Sequence, residues 1–246
     1  MKRDGPALLF PLFFALLGAA IALPVLAVLL SVRPSEVAAV FGSPTVRDAV
    51  RISLFASLAA TAAATILGVP AGYAIARARP HLRALAVLVL ALPLAFPPVA
   101  SGVMLLSLLR ATPVPDSLLG VAVAEFFVSG SFVAIASTAA FSALDPIYAD
   151  AARTLGASEW RIFLRVALPC ALGNVAAGVT FTWLRALGAY GATSILAYHP
   201  SSLPVALYVT LSASGVRAAL ALCYGFIVLA VVVLAVQWIL RRSVVQ

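Results

Sequence analysis

Residues 150–169 read D-A-A-R-T-L-G-A-S-E-W-R-I-F-L-R-V-A-L-P. With Asp145 just ahead, the stretch holds three acids (Asp145, Asp150, Glu159) and three bases (Arg153, Arg161, Arg165). In a chain that is 64% hydrophobic and only 10% charged, such a mixed-charge amphipathic segment is a surface on which something water-soluble is meant to sit. Asp145-Pro146 reads as a helix start, an N-cap acid followed by proline at the first helical position. The alanine-rich run that follows meets Gly156, a natural helix end. Ser158 then caps a second short helix, with Ile162, Phe163 and Val166 on its apolar side and Glu159 and Arg161 in water. The spacing predicts two short helices with a glycine elbow, held at the membrane surface, before Pro169 opens the next apolar stretch. An amphipathic connector resting in lipid headgroups has the same pattern, so the residue types alone leave both readings open.

Two further charges fall inside long apolar stretches, Arg185 and Glu125. An intramembrane charge is costly and marks function by default. Arg185 lies about 24 Å beyond Pro169 along a helix rising 1.5 Å per residue. There it either lines a path and attracts an anion, or it caps backbone carbonyls near a kink at Gly188. Glu125 comes early in its stretch and is expected near the outer interface, solvated. Nothing else resembles a reaction centre. His81 and His199 fall in loops, the apolar stretches hold no His/Asp/Glu or Ser/Lys constellation, and no catalytic or metal-binding residues are expected. Cys170 and Cys223 read as small buried apolar residues, not as a disulfide or a metal pair.

The elements that position these residues follow from hydropathy. Mean hydropathy is +1.14, and a soluble domain carries roughly 25% charged residues. Stretches 7–30, 52–76, 84–109 and 218–240 hold no charge, 118–144 holds only Glu125 and 170–196 only Arg185. Each is long enough to cross a hydrocarbon core, which takes about 20 helical residues. A transmembrane β-barrel would show short alternating segments instead. The expectation is an all-α polytopic membrane protein of six transmembrane helices, one transmembrane unit over 1–246 with no soluble second domain. The first stretch follows Lys2 and Arg3 but exceeds the apolar core of a signal peptide and lacks a small-residue cleavage site, so it is expected to stay as a span.

The net charge of +8 points to topology and not to nucleic acid. With a cytoplasmic N-terminus, the inner segments hold Lys2, Arg3, Arg77, Arg79, Arg83, Arg153, Arg161, Arg165, Arg241 and Arg242. The outer ones hold Arg33, Arg47, Arg51, Arg110 and Arg217. That bias places both termini in the cytoplasm. The third stretch carries Pro93, Pro97, Pro98 and Gly102. Interior prolines break helices, and irregular backbone in a membrane is buried in protein or lines a cavity. This is either a packed kink or a pore-lining gate.

Asp150-Ala151-Ala152, three residues, Gly156, nine residues, then Val166-Ala167-Leu168-Pro169 resembles the E-A-A-x(3)-G-x(9)-I-x-L-P motif. That motif belongs to permease subunits of binding-protein-dependent ABC importers. The resemblance covers roughly residue 53 to the C-terminus, with aspartate and valine as conservative departures. It implies a type I importer permease fold whose motif helices dock on a separate ATPase dimer and transmit its closure. Asp150, Ala151, Ala152, Arg153, Gly156, Glu159, Trp160, Leu168 and Pro169 would carry that coupling. ATP and Mg would sit in the ATPase, with no cofactor on this chain, which has no G-x-x-x-x-G-K-[ST] loop. The other implied partners are a periplasmic or lipid-anchored substrate-binding protein, a second permease copy and the prokaryotic inner membrane.

Trp183–Ala197 (W-L-R-A-L-G-A-Y-G-A-T-S-I-L-A), Ser202–Tyr208 and F-P-P-V-A-S-G at Phe96–Gly102 resemble molybdate/tungstate/sulfate permeases more specifically. The relatives usually carry glutamate where Ala189 stands, and thiamine and ferric-iron permeases share parts of the block. The resemblance implies a translocation path or gate involving Arg185, Gly188, Tyr190, Gly191, Pro97 and Pro98, and an oxyanion as solute. The alternatives are another small-solute importer of the same family or, more distantly, a secondary transporter. The latter would show inverted repeats and mid-membrane coupling acids, and neither is visible.

Overall fold

The computed structural model describes residues 5–245, with helices α1 (Gly5–Ser31), α2 (Pro34–Gly42), α3 (Pro44–Ala76), α4 (Pro80–Ala95), α5 (Pro98–Leu109) and α6 (Leu118–Ser142). After these come α7 (Pro146–Thr154), α8 (Glu159–Ile162), one π turn (Phe163–Ala167), α9 (Leu168–Leu187), α10 (Thr193–Leu196), α11 (Leu203–Ser214) and α12 (Val216–Val245). Lys2, Arg3 and Gln246 lie outside the described residues, as do the side chains of Arg241 and Arg242. Among the described residues there is no strand.

Proline opens many of the helices, at Pro34, Pro44, Pro80, Pro98 and Pro146. At the first helical position its missing N–H costs nothing and its fixed φ is already helical. Side-chain caps add to this. Ser43 accepts from the Val46 amide at 3.3 Å, Ser117 from Gly120 at 3.0 Å and Asp145 from Ile147 at 2.9 Å.

Five helices are long and apolar enough to cross a membrane: Leu9–Ser31, α3, α6, the continuous helix Glu159–Leu187, and α12 from Val216 to Ile239. A sixth crossing is the broken pair α4–α5, bent by 102°. The core is the α3–α6–α9 packing. Ala56, Ala60 and Ala64 are at most 2% exposed, and the stripe continues at four-residue spacing through Gly68 and Gly72. A Cβ at Gly68 would stand 2.8 Å from Val133 Cγ1, and one at Gly72 2.6 Å from Ser137 Cβ. Lipid offers no hydrophobic drive between helices, so close backbone approach through small residues supplies the packing. α1, by contrast, is exposed along most of its described length, as befits a helix facing lipid.

Several expectations are corrected. The fifth span, expected over 170–196, is helical only to Leu187; Gly188 caps it, and the chain turns through Ala189–Ala192 into α10 and then α11. The second cytoplasmic helix does not stop before the fifth span. It runs through the π turn into α9 as one 29-residue helix. Pro169 cannot donate to the helix ladder, and the bulge directly ahead of it, where the Leu168 amide reaches Phe163 O, absorbs the mismatch. The outer loop 31–51 is helical over α2 and the first turns of α3. Glu125 is fully buried, because it shares the inner face of α6 with Val121, Ala124 and Val128, which pack on α3 and on the 189–197 segment. Cys170 is exposed and Cys223 half-buried.

A candidate coupling surface and gate

The candidate coupling segment turns on a glycine whose backbone conformation suits glycine best. Gly156 has φ +76°, with nothing within 4 Å of where a Cβ would stand. Conformation and not space therefore favours glycine here, since a left-handed L-residue costs about 1–2 kcal/mol. The turn closes with Gly156 N on Arg153 O at 2.9 Å and Ala157 N on Ala152 O at 3.0 Å.

Around this elbow Glu159 is the hub. Its carboxylate accepts from Arg153 Nε at 2.7 Å and from Arg77 Nη1 at 2.8 Å, while Arg153 Nη1 also donates to Asp150 at 2.5 Å. The hydrogen bond from Arg153 holds the Glu159 carboxyl below its ordinary range, and the same bond raises the Arg153 guanidinium. Thus α7, α8 and the end of α3 are laced by one carboxylate. The pairs are exposed, so each contributes little alone; their value is geometric.

Aromatic packing does the anchoring. Phe163 lies 5.0 Å from Tyr73 and 6.0 Å from Phe141, Tyr73 meets Phe141 edge-on at 5.3 Å, and Trp160 sits 5.2 Å from Phe163. Arg77 covers the Tyr73 ring at 4.5 Å. The segment after the elbow is therefore packed directly against α3, α6 and α9. Arg153 and Glu159, expected among the coupling residues, also tie the elbow together; Asp150, Ala151 and Trp160 are exposed, Ala152 and Leu168 half-buried, and Pro169 exposed.

The exposed face carries what sequence reasoning missed. Ile147, Tyr148 and Leu155 are open to solvent, Leu155 at 88%. With Ala151 they occupy neighbouring turns of α7, three and four residues apart, the spacing of one helix face. The signal is present in the sequence as the 147–151–155 period, beside the charged residues of the same segment.

At the other end of the bundle the expected gate residues divide. Pro97 and Pro98 start α5 at the 102° bend, and Gly191 packs on them. A Cβ there would meet Pro98 Cβ at 2.8 Å and Val99 N at 3.0 Å. Gly102 makes the same kind of approach to Ile195 and Ala192. The broken third span and the break after α9 are thus one joint. Tyr190 stacks on Tyr208 of α11 at 4.9 Å, and Trp183 Nε1 donates to Ser57 Oγ at 3.0 Å. Gly188 is exposed. Arg185 is half-buried and makes no hydrogen bond or ion pair among the described residues; it does not cap the carbonyls near Gly188. Ala189 is 2% exposed, packed with Leu105, Ala124 and Leu196.

Residues 64–245 match the family described as binding-protein-dependent transport system inner membrane component. The chain belongs to that family. It is 34% identical over 248 residues to the molybdate/tungstate transport system permease protein of Thermococcus kodakarensis, covering 99% of both chains. It is 32% identical over 223 residues to the sulfate transport system permease protein of Synechocystis, covering 82% of this chain and 79% of the relative. Among solved structures it resembles the methionine ABC transporter in an inward-facing conformation, with a TM-score of 0.67, 17% identity and coverage of 81% and 94%. It also resembles a bacterial alginate ABC transporter in complex with its periplasmic protein, with a TM-score of 0.66, 19% identity and coverage of 95% and 91%. The fold of a type I ABC importer permease is shared, and this chain is a multi-pass transport subunit.

Proposed function

We propose that this permease forms the translocation path for a tetrahedral oxyanion such as molybdate, tungstate or sulfate. The observation that carries the reading is the full-length similarity to a molybdate/tungstate permease, joined by the similarity to a sulfate permease. Arg185 supports it: a half-buried cation with no ion pair among the described residues, in the helix that leads to Gly191, is available to an anion on the path.

ATP is hydrolysed by a separate ATPase dimer that receives the exposed face of α7. Ile147, Ala151 and Leu155 enter its cleft, Asp150 and Arg153 flank them, and the Gly156 elbow passes the motion into the continuous helix 159–187. A second copy of the permease completes the path, and a periplasmic or lipid-anchored binding protein delivers solute at the far end. The coupling end and both termini face the cytoplasm of a prokaryotic cell.

The test is uptake. The chain, purified with its accompanying ATPase and supplied with a binding protein, is expected to move labelled molybdate, tungstate or sulfate into ATP-loaded proteoliposomes. If an ATPase accompanies the chain but none of these anions moves, the solute class is wrong and the importer stands. If no ATPase accompanies it, the coupling assignment fails.

A further inference from the structure

Behind α7 lies a cavity of about 370 Å³, within the range of small-molecule sites, walled by the ends of α3 and α6, the start of α4, α7 and the π turn. Three guanidinium groups line it, Arg77, Arg83 and Arg153, against one carboxylate, Asp145. That carboxylate is engaged as the α7 cap on the Ile147 amide. Two donors in the wall have no acceptor at all: the Tyr73 hydroxyl and Arg83 Nε are buried without a hydrogen-bond partner. Arg77 and Arg153 are already paired with Glu159, and Arg153 with Asp150, which leaves Arg83 as the lining guanidinium without a carboxylate among the described residues. Buried donors are satisfied in the great majority of cases, and the unmet ones beside it call for an acceptor. The groups are also held in place. Arg83 is pinned by its bond to the Ala76 carbonyl, and Arg77 is fixed over the Tyr73 ring at 4.5 Å.

We propose that this cavity binds a tetrahedral oxyanion group, either a free phosphate or sulfate or the phosphate of an anionic lipid headgroup. Arg77, Arg83 and the Tyr73 hydroxyl supply the donors. The planar guanidinium fork matches two oxygens of such a group, and the unpartnered Tyr73 hydroxyl is a further donor in the same wall. The occupant shares Arg77 and Arg153 with Glu159, so it pulls on the same two side chains that tether the elbow. Binding here does not depend on what the complex transports, and uptake measured in the same preparations separates the two questions.

The full chain, with the subunits that accompany it, is placed in nanodiscs of phosphatidylcholine alone or with phosphatidylglycerol. Thermal melting is followed at constant ionic strength with sodium phosphate or sodium sulfate against chloride, and native mass spectrometry counts retained phosphatidylglycerol. The wild type is expected to be protected by the free anions or to retain the anionic lipid, and Arg77→Gln/Arg83→Gln to weaken that binding by at least about tenfold, the scale of charge-assisted bonds. Tyr73→Phe keeps the ring packing and removes only the hydroxyl; it is expected to weaken binding several-fold and decides the matter if the double variant does not fold. Arg110→Gln, outside the cavity, serves as the control that binds as wild type does. Protection by phosphate or sulfate in lipid-neutral discs identifies a free oxyanion, and retention of phosphatidylglycerol without such protection identifies a headgroup. If the wild type binds neither, or if Tyr73→Phe and the double variant bind as tightly as it does, there is no such site.

Discussion

Two residues are predicted to respond in opposite ways to small changes. Gly156 holds a left-handed turn with open space around it. Gly156→Ala is therefore expected to cost about 1–2 kcal/mol locally, and Gly156→Pro, whose φ is locked near −65°, to abolish transport. Both should leave membrane insertion intact, and recovery in the membrane fraction beside uptake and ATPase retention checks this; unimpaired uptake in the proline variant would remove the elbow from the mechanism. Glu125 is the converse case. Its side chain is fully buried and both carboxylate oxygens lack a partner. A buried carboxyl without a partner does not stay charged, and a neutral amide of the same shape makes the same demands on its surroundings. Glu125→Gln is accordingly expected to melt close to the wild-type temperature, and Glu125→Lys, which puts a longer cationic side chain into that buried space, to lose folded protein on size-exclusion chromatography. A marked loss of stability in Glu125→Gln would mean that the carboxylate has a role in packing that shape alone does not meet.

At the scale of elements, the Glu159 tether makes the elbow sensitive to acid. The carboxyl is held below its ordinary value of 4.5, so its contribution is fully present above that value and is lost as the pH falls through the lower folded one. Spin labels at Leu155 and Arg79, both exposed, are expected to report one narrow distance from neutrality down to pH 4.5 and a broadened one below it. Glu159→Gln should be broad throughout; a narrow distance in that variant would leave the ordering to the aromatic cluster alone. How far these elements can be read from sequence depends on the kind of signal. Span existence, the capped start at Asp145 and the turn at Gly156 rest on local chemistry, and local chemistry is visible in the chain. The continuity of helix 159–187 is not, because Pro169 argues for a break and only the π turn ahead of it, a tertiary accommodation, overrides that. Glu125 illustrates the same limit: its depth in the helix can be counted, but which face meets α3 depends on packing. The meeting of Pro98 with Gly191 is long-range, and nothing in either segment alone announces it.

The whole molecule's topology follows from one packing relation. Gly68 of α3 stands beside Val133 and Ala134 of α6, and Gly72 beside Ser137 and Thr138, so the two helices run parallel. The chain between them must return to its starting side, which makes the bent pair α4–α5 a single crossing and not a re-entrant hairpin. α6 and α9 are antiparallel, since Gly178 meets Ala136 while Ala171 and Val175 share a cluster with Ala140 and Phe141 nearer the coupling end. At the far end Glu36, which follows α1, pairs with Arg217 at the start of α12 at 3.0 Å. Six crossings therefore bring the start of α1 and the end of α12 to the side of the Gly156 elbow. The basic bias, with Arg77, Arg79, Arg83, Arg153, Arg161 and Arg165 on that side, is the pattern expected of a cytoplasmic face, and the orientation proposed above makes it a testable prediction. Reporter fusions at Gln246 and after Arg79 are expected to read cytoplasmic, and fusions after Arg33 and Thr112 to read periplasmic. The Thr112 fusion discriminates most sharply: a cytoplasmic signal there would mean that α4–α5 dips and returns, which would force α3 and α6 to run antiparallel and contradict the contacts of Gly68 and Gly72.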